Sequence, residues 1–252
     1  MIAAQSIIRL DQVTKAFGVG SAGASFTAVD RLDLKVGAGQ MLALLGKTGC
    51  GKSTIFNMIA GLTEPTSGIV IVDGRNPFRD FDAFRGKIAI VFQNDRLLPW
   101  RTAVQNVELG LEMLDIPLKQ RHEMAMHWLG KLGLLGHEND YPHALSGGMR
   151  QRVSIARAFA TDANILLCDE PFSALDEMTG RALRSEFLKL VKENGKTAVF
   201  ITHSINEALE IGDRLVVLKR PATIALDVSL LPDCTIESKE AIRSRIQDVL
   251  AS

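Results

Sequence analysis

An α/β fold built on a parallel sheet is what this sequence predicts, on three observations. Short apolar runs bounded by turn residues recur along it: IIRL, LDLKV, MLALLG, GIVIVDG, KIAIVF, NILLC, TAVFIT and DRLVVLK. Helix-length patterns stand between several of them, at 52–60, 102–113, 120–132, 149–160, 177–193 and 205–210. Many of the runs are apolar throughout rather than alternating, which marks strands covered on both faces. The 252 residues suffice for one large domain, or one domain with a modest insertion.

The elements follow in order. In the first strands the apolar residues alternate more strictly (Leu32, Leu34, Val36), which predicts a small, half-exposed antiparallel patch. GIVIVDGR carries a turn signal at Asp73-Gly74. From about residue 97 to residue 160 the strands stop and helices take over, so an α-helical subdomain is expected to be inserted into the sheet domain. After Pro221 the pattern weakens, and SKEAIRSRIQDVLA reads as a short amphipathic helix. The expected division is a domain over 1–220 and a C-terminal extension over 221–252. Neither internal repeats nor low-complexity segments occur.

Composition narrows the function classes. Apolar residues at 46% supply a core, and charged residues at 23% are ordinary. Lys+Arg and Asp+Glu both number 29, so the formal net charge is zero, which argues against nucleic acid as a partner. Cys50, Cys168 and Cys234 form no CxxC pair and no ligand cluster, which suits a reducing compartment. MIAAQSIIRLDQ lacks the features of a signal peptide, and no apolar run approaches the roughly 20 residues of a spanning helix. A cytosolic chain, or one on the cytosolic side of something else, is expected.

GKTGCGKST at 46–54 fits G-x-x-x-x-G-K-[ST] in full, after the apolar run MLALL and before a helical pattern, the context this motif needs. It defines a phosphate loop. Gly46, Gly49 and Gly51 let the backbone wrap phosphates, with Lys47, Thr48, Cys50 and Thr54 completing the loop. Lys52 would neutralise β- and γ-phosphate oxygens, and the Ser53 hydroxyl would ligate Mg²⁺. Three further strands end abruptly in polar groups: KIAIVF in Gln93, NILLC in Asp169-Glu170, and TAVFIT in His203. Ligands of open parallel sheets sit beyond the carboxyl ends of the strands, so all four ends are expected to converge on one nucleotide. Asp169 would hold Mg²⁺ through its water shell. Glu170 would take a proton from the attacking water. Gln93 would sense the metal or the water, and His203 would contact the γ-phosphate. Taken singly, such groups are ordinary strand-end or helix-cap residues, and their joint arrangement carries the inference.

A second loop, Ser146-Gly147-Gly148, stands directly before a helical pattern, whose start is a ready anion site. Together these residues resemble the nucleotide-binding subunit of ATP-binding cassette (ABC) transporters, over nearly the whole chain up to about Arg220. The phosphate loop, Gln93, the signature LSGGMRQ ending in Gln151, ILLCDEP, SALD and His203 all occur in that family's order. The resemblance implies a P-loop NTPase (RecA-like) core, ATP and Mg²⁺ as ligands, ATP hydrolysis, and a head-to-tail dimer, most simply a homodimer. The signature of one subunit would then cap the γ-phosphate held by the other's phosphate loop. It also implies that Phe17 of VTKAFG stacks on adenine, where the family often has Tyr; core filler is the alternative. Ser204 stands where Asp commonly follows the histidine.

In that family the region of NDRLLPWRT (94–102) meets the membrane subunit, so Leu97, Leu98, Pro99 and Trp100 are expected either to dock it or to pack inside the helical subdomain. Motif by motif, the chain is similar to importers of nitrate, sulfonates and taurine. That likeness implies transmembrane permease subunits, a solute-binding protein, and a peripheral place on the cytoplasmic face of the inner membrane. A soluble ABC-type ATPase acting on nucleic acid or ribosomes, and an exporter subunit, are the alternatives. Cys50, beside Lys52 and a helix start, is expected to be a reactive thiolate unless it is an inert residue tucked under the loop.

Overall fold

The computed structural model describes residues 6–18, 25–230 and 236–251, the side chains of Ile236 and Glu237 excepted. Cys234 and the first five residues, on which the compartment and leader readings partly rest, lie outside the described residues. The chain divides into two compact units: Met1–Phe84 with Thr197–Ser252, and Arg85–Lys196.

The first unit carries two sheets. In one, β1 (Ser6–Gly18) lies between β2 (Ser25–Gly37) and β4 (Ser67–Val72), antiparallel to both. Leu32, Leu34 and Val36 of β2 are buried while Arg31, Asp33 and Lys35 are exposed, as alternation demands. On β1 the buried set is Ile8, Leu10 and Val13, one residue out of step. A bulge accounts for it: Gln12 has φ 48°, and its N–H donates to Asp33 Oδ1 at 2.8 Å. Asp73 and Gly74 both have positive φ (46° and 74°), and Val72 and Arg75 exchange hydrogen bonds across them, the tight turn their sequence signals.

The second sheet of this unit is built on β3 (Met41–Gly46), buried at every residue. It runs parallel to β7 (Thr197–Thr202) and β8 (Arg214–Lys219), and β9 (Thr223–Ser229) pairs antiparallel with β8. Helices α1 (Lys52–Ile59), α6 (Ile205–Ile211) and α7 (Ile236–Ala251) pack on these strands. The weak pattern after Pro221 therefore conceals a strand, which sequence reasoning missed because its residues are half-buried at best. It also conceals a docked helix. Ile242, Ile246, Val249 and Leu250 of α7 fall at helical spacing and pack against Ala43, Leu45, Leu215 and Val217.

In the second unit, β5 (Ile88–Val91) and β6 (Ile165–Asp169) pair in parallel. Between them in sequence come α2 (Ala103–Met113), α3 (Leu118–Lys131) and α4 (Gly147–Ala160), mutually packed. Thr102 and Gln105 form a reciprocal capping box at the start of α2. A run of contacting rings, Trp128–Phe159–Phe187–Phe172, joins α3 and α4 to α5 (Glu177–Glu193). The fold is thus α/β, with a small antiparallel sheet and helices inserted between two parallel strands.

Candidate active site

In the first unit β3 feeds the loop that ends on α1. Cys50 N–H donates to the Lys47 carbonyl at 3.2 Å, closing a tight turn. Gly49 and Gly51 take φ of 78° and 111°, conformations that a side chain would strain. Gly51 is further constrained, since a Cβ there would lie 2.5 Å from the Ala28 carbonyl oxygen and 2.8 Å from Ala222 Cβ. Those two residues join the unit's sheets, Ala222 N–H donating to Ala28 O at 2.9 Å. Lys52, nearly buried, reaches back across the loop and donates to the carbonyls of Gly46 (2.6 Å) and Lys47 (3.2 Å).

The start of α1 has no side-chain cap and no acid in its first turn, so its N–H groups and positive dipole end suit an anion. Lys47, Thr48, Gly49 and Ser53 are exposed there, and Thr54 is half-buried. Cys50 is not exposed: its side chain is 3% accessible, packed so that a Cβ on Gly46 would sit 2.6 Å from its Sγ. The expected reactive thiolate thus meets a closed site, and Cys50 fills space beneath the loop. Burial also pushes the Cys168 thiol well above its ordinary range. In a Cys234→Ser background, fewer than about 0.2 thiols per chain should react with Ellman's reagent in the native protein within minutes, and about two per chain after unfolding. Fast native labelling would show an open loop.

His203 follows β7 directly, and Thr202 pairs with Leu45, so the histidine sits at the same sheet end as the loop. Ser204 caps α6, accepting from Glu207 N–H at 3.3 Å. The buried Glu207 carboxylate accepts from the Thr202 hydroxyl at 2.6 Å. A serine where aspartate is common therefore still closes the local network. Phe17 is 42% exposed, opposite Phe26 in the strand pairing, with Lys15 Nζ 5.0 Å from its ring centre. An exposed ring of this kind is open to stacking and is poor core filler.

In the second unit Val91 pairs with Cys168, which brings Gln93 and Asp169-Glu170 to the same end of the β5–β6 pair. Gln93 is exposed, and the two acids are half-buried. Glu170 has φ 45°, and its carbonyl accepts from the N–H (3.2 Å) and hydroxyl (3.0 Å) of Ser173. A non-glycine residue held in this region costs of order 1–3 kcal/mol, a strain that clusters at functional sites. Asp176 caps α5, and the Thr179 N–H holds its carboxyl below the usual range.

Ser146 caps α4, its Oγ accepting from Met149 N–H at 3.2 Å, and Gly147 and Gly148 form the helix's first turn, which carries no acid. A Cβ on Gly148 would come within 3.1 Å of Thr179 Cγ2, whereas one on Gly147 would meet only Arg150 Nη2, at an ordinary 3.8 Å. Three side chains strap α4 to residues 92–96. Arg150 donates to Asp95 Oδ2 (3.0 Å), Gln151 to the Phe92 carbonyl (3.3 Å), and Arg157 to the carbonyls of Asp95 (2.7 Å) and Arg96 (2.9 Å). Burial draws the Arg157 guanidinium below its ordinary value, and Asp95 opposes this. Gln151, grouped in the sequence with nucleotide-contacting residues, has a buried side chain that serves this strap. Asp95, Arg150 and Arg157 escaped sequence reasoning, because charged residues on a helix and in a loop are ordinarily solvated. Beyond the strap, Leu97 is buried, Leu98 half-buried, Pro99 exposed and Trp100 69% exposed. The expected apolar cluster is thus divided between packing and display.

A glycine-wrapped loop opening on a lysine at a helix start, after a buried parallel strand, defines a P-loop nucleotide-binding fold. The profile of the family described as "ABC transporter" matches residues 29–173. An uncharacterized ABC transporter ATP-binding protein, MJ0412, of Methanocaldococcus jannaschii is 44% identical over 218 residues, 86% of this chain and 79% of its own length. The taurine import ATP-binding protein TauB of Yersinia pestis bv. Antiqua is 42% identical over 191 residues, 76% of this chain and 73% of its own length. Among solved structures, the dimeric post-hydrolysis state of the ATP-binding cassette MJ0796, bound to ADP and Pi, superposes with a TM-score of 0.79. It is 35% identical, covering 89% of this chain and 99% of that one. The chain belongs to the ABC transporter family as an ATP-binding subunit, and it is an ATP hydrolase. Among the described residues, no helix is long and apolar enough to cross a membrane.

Proposed function

We propose that this subunit energises import of a small solute of the nitrate, sulfonate or taurine kind. It would act through separate transmembrane permease subunits served by a solute-binding protein, at the cytoplasmic face of the inner membrane. The likeness to a taurine import subunit supports the direction and the solute class. The observation that carries the mechanism is one chain with two glycine-bearing helix starts that carry no acid: α1 behind the lysine loop and α4 behind Ser146. In a head-to-tail dimer each ATP is held by one subunit's loop and capped by the partner's Ser146, Gly147 and Gly148. The dimeric form of the MJ0796 cassette is consistent with this.

Within that reading Phe17 stacks on the base. The α1 N–H groups and Lys52 gather the phosphates, and preorganised donors of this kind stabilise charge that grows in the transition state. Glu170 accepts the proton of the attacking water, Gln93 orients that water, and His203 bonds the γ-phosphate. The Ser53 hydroxyl and the Asp169 carboxylate are hard oxygen donors suited to Mg²⁺, an ion bound by few protein groups together with substrate phosphates. When bound, it would neutralise phosphate charge. Among the described residues no cluster of three or more His, Cys, Asp or Glu offers a rival cage.

Mixing two inactive variants tests the shared sites. Ser146→Arg spoils the cap and spares the loop, and Lys52→Ala does the reverse. A random mixed dimer keeps one intact composite site, so an equal mixture should trap nucleotide at about a quarter of the parent level. No trapping, with mixed dimers demonstrably present, would overturn the arrangement.

A further inference from the structure

Asn106 is a fully buried polar residue on the apolar face of α2, flanked there by buried Ala103, Val104 and Val107. Its side chain spends its hydrogen-bonding capacity on one short loop. Oδ1 accepts from Leu98 N–H at 2.7 Å. Nδ2 lies 3.2, 3.0 and 3.0 Å from the carbonyl oxygens of Leu98, Arg101 and Thr102. Arg101 N–H in turn donates to the Leu98 carbonyl at 3.1 Å, closing a turn whose crown is Pro99 and Trp100. Arg101 is also held from the side by Glu112, at 2.8 Å. The loop thus presents a large exposed indole on a backbone pinned from within.

We propose that Asn106 is a positioning residue that holds the turn at 98–102 so that Trp100 is presented in one orientation to the transmembrane partner. The consequence for the partner rests on the docking of Trp100 argued in the Discussion; the pinning itself does not. The chemistry is selective. Aspartate keeps the acceptor for Leu98 N–H but sets a carboxylate against three carbonyls. Leucine fills the same volume and makes none of the bonds, which takes their side-chain partner from the part-buried Leu98 N–H and Arg101 carbonyl. An indole free to sweep its surroundings would have to be ordered at the moment of docking, and pre-ordering removes that cost.

Hydrogen exchange of the intact chain tests this. In Asn106→Ser, amide exchange across 98–102 should rise at least about tenfold, while α3, α4 and β6 keep their parent rates. Trp100 emission, read in a Trp128→Phe background, should show lower anisotropy. Unchanged exchange at 98–102 in a folded variant would overturn the proposal. So would acceleration spread evenly through α2, α3 and α4, which marks Asn106 as packing only. Should Asn106→Ser fail to fold, Leu98→Pro deletes the bonded N–H from the loop side and is judged by the same two criteria at residues 100 and 101. A final arm co-expresses the importer's transmembrane subunits. Asn106→Ser should weaken assembly as Trp100→Ala does. If Trp100→Ala leaves assembly intact, the docking reading fails and the exchange result still decides the pinning. If Trp100→Ala weakens assembly and a loosened Asn106→Ser does not, presentation by Asn106 fails.

Discussion

Glu170→Gln is expected to lower ATP turnover at least about 100-fold while leaving ATP binding intact, because the amide keeps the side chain's shape and removes its proton-accepting oxygen. The bonds from Ser173 to the Glu170 carbonyl, which accompany the backbone at φ 45°, do not involve the side chain. The variant should therefore fold normally. It should also accumulate as an ATP-bound dimer, since the step that releases the dimer is blocked and the step that forms it is not. Single-turnover rates, nucleotide affinity and the mass of the complex in ATP together check this. Near-normal hydrolysis would reassign Glu170 to holding the turn after β6.

Trp100→Ala is expected to separate partner binding from stability. The side chain is 69% exposed, and surface truncations away from special features usually change stability by less than about 0.5 kcal/mol. A buried aromatic anchor at an interface is often worth at least about 2 kcal/mol, roughly a 30-fold change in affinity for the transmembrane subunits. Solute-stimulated hydrolysis and uptake should fall together. Leu97→Ala is the contrasting variant. At 9% exposure Leu97 belongs to the interior, so its truncation should cost about 2–5 kcal/mol of stability in the isolated subunit. A destabilised Trp100→Ala that still assembles normally would sink the docking reading.

The elements that show plainly in the sequence are those whose apolar pattern is unambiguous. β3 and β7 read as buried strands because every residue in them is apolar or small, and they are buried throughout. The phosphate loop and the signature are visible because their glycines and lysine do chemistry that few other residues can do. Other features were hidden for physical reasons. The bulge at Gln12 shifts the alternation of β1 by one residue, and no side-chain type announces it. β9 is an edge strand, so its residues need not be strongly apolar. The cysteine in the loop illustrates a further limit, because charge neighbours were legible and access was not. Asn106 carried a faint signal, a polar residue on an otherwise apolar helix face. What it bonds to depends on a loop folded eight residues earlier.

Gly51 gives the loop a dependence on residues remote from it. Its floor is the junction of the Ala28 carbonyl and the Ala222 side chain, which lie outside the motif and far apart in the chain. Transplanting the nine residues of 46–54 onto another strand–helix pair would carry the phosphate ligands without the surface that shapes them. A chimera of this kind would keep its consensus and lose its affinity. Enlarging Ala222, whose Cβ faces Gly51, would do comparable harm in the native chain, with every residue of the motif intact.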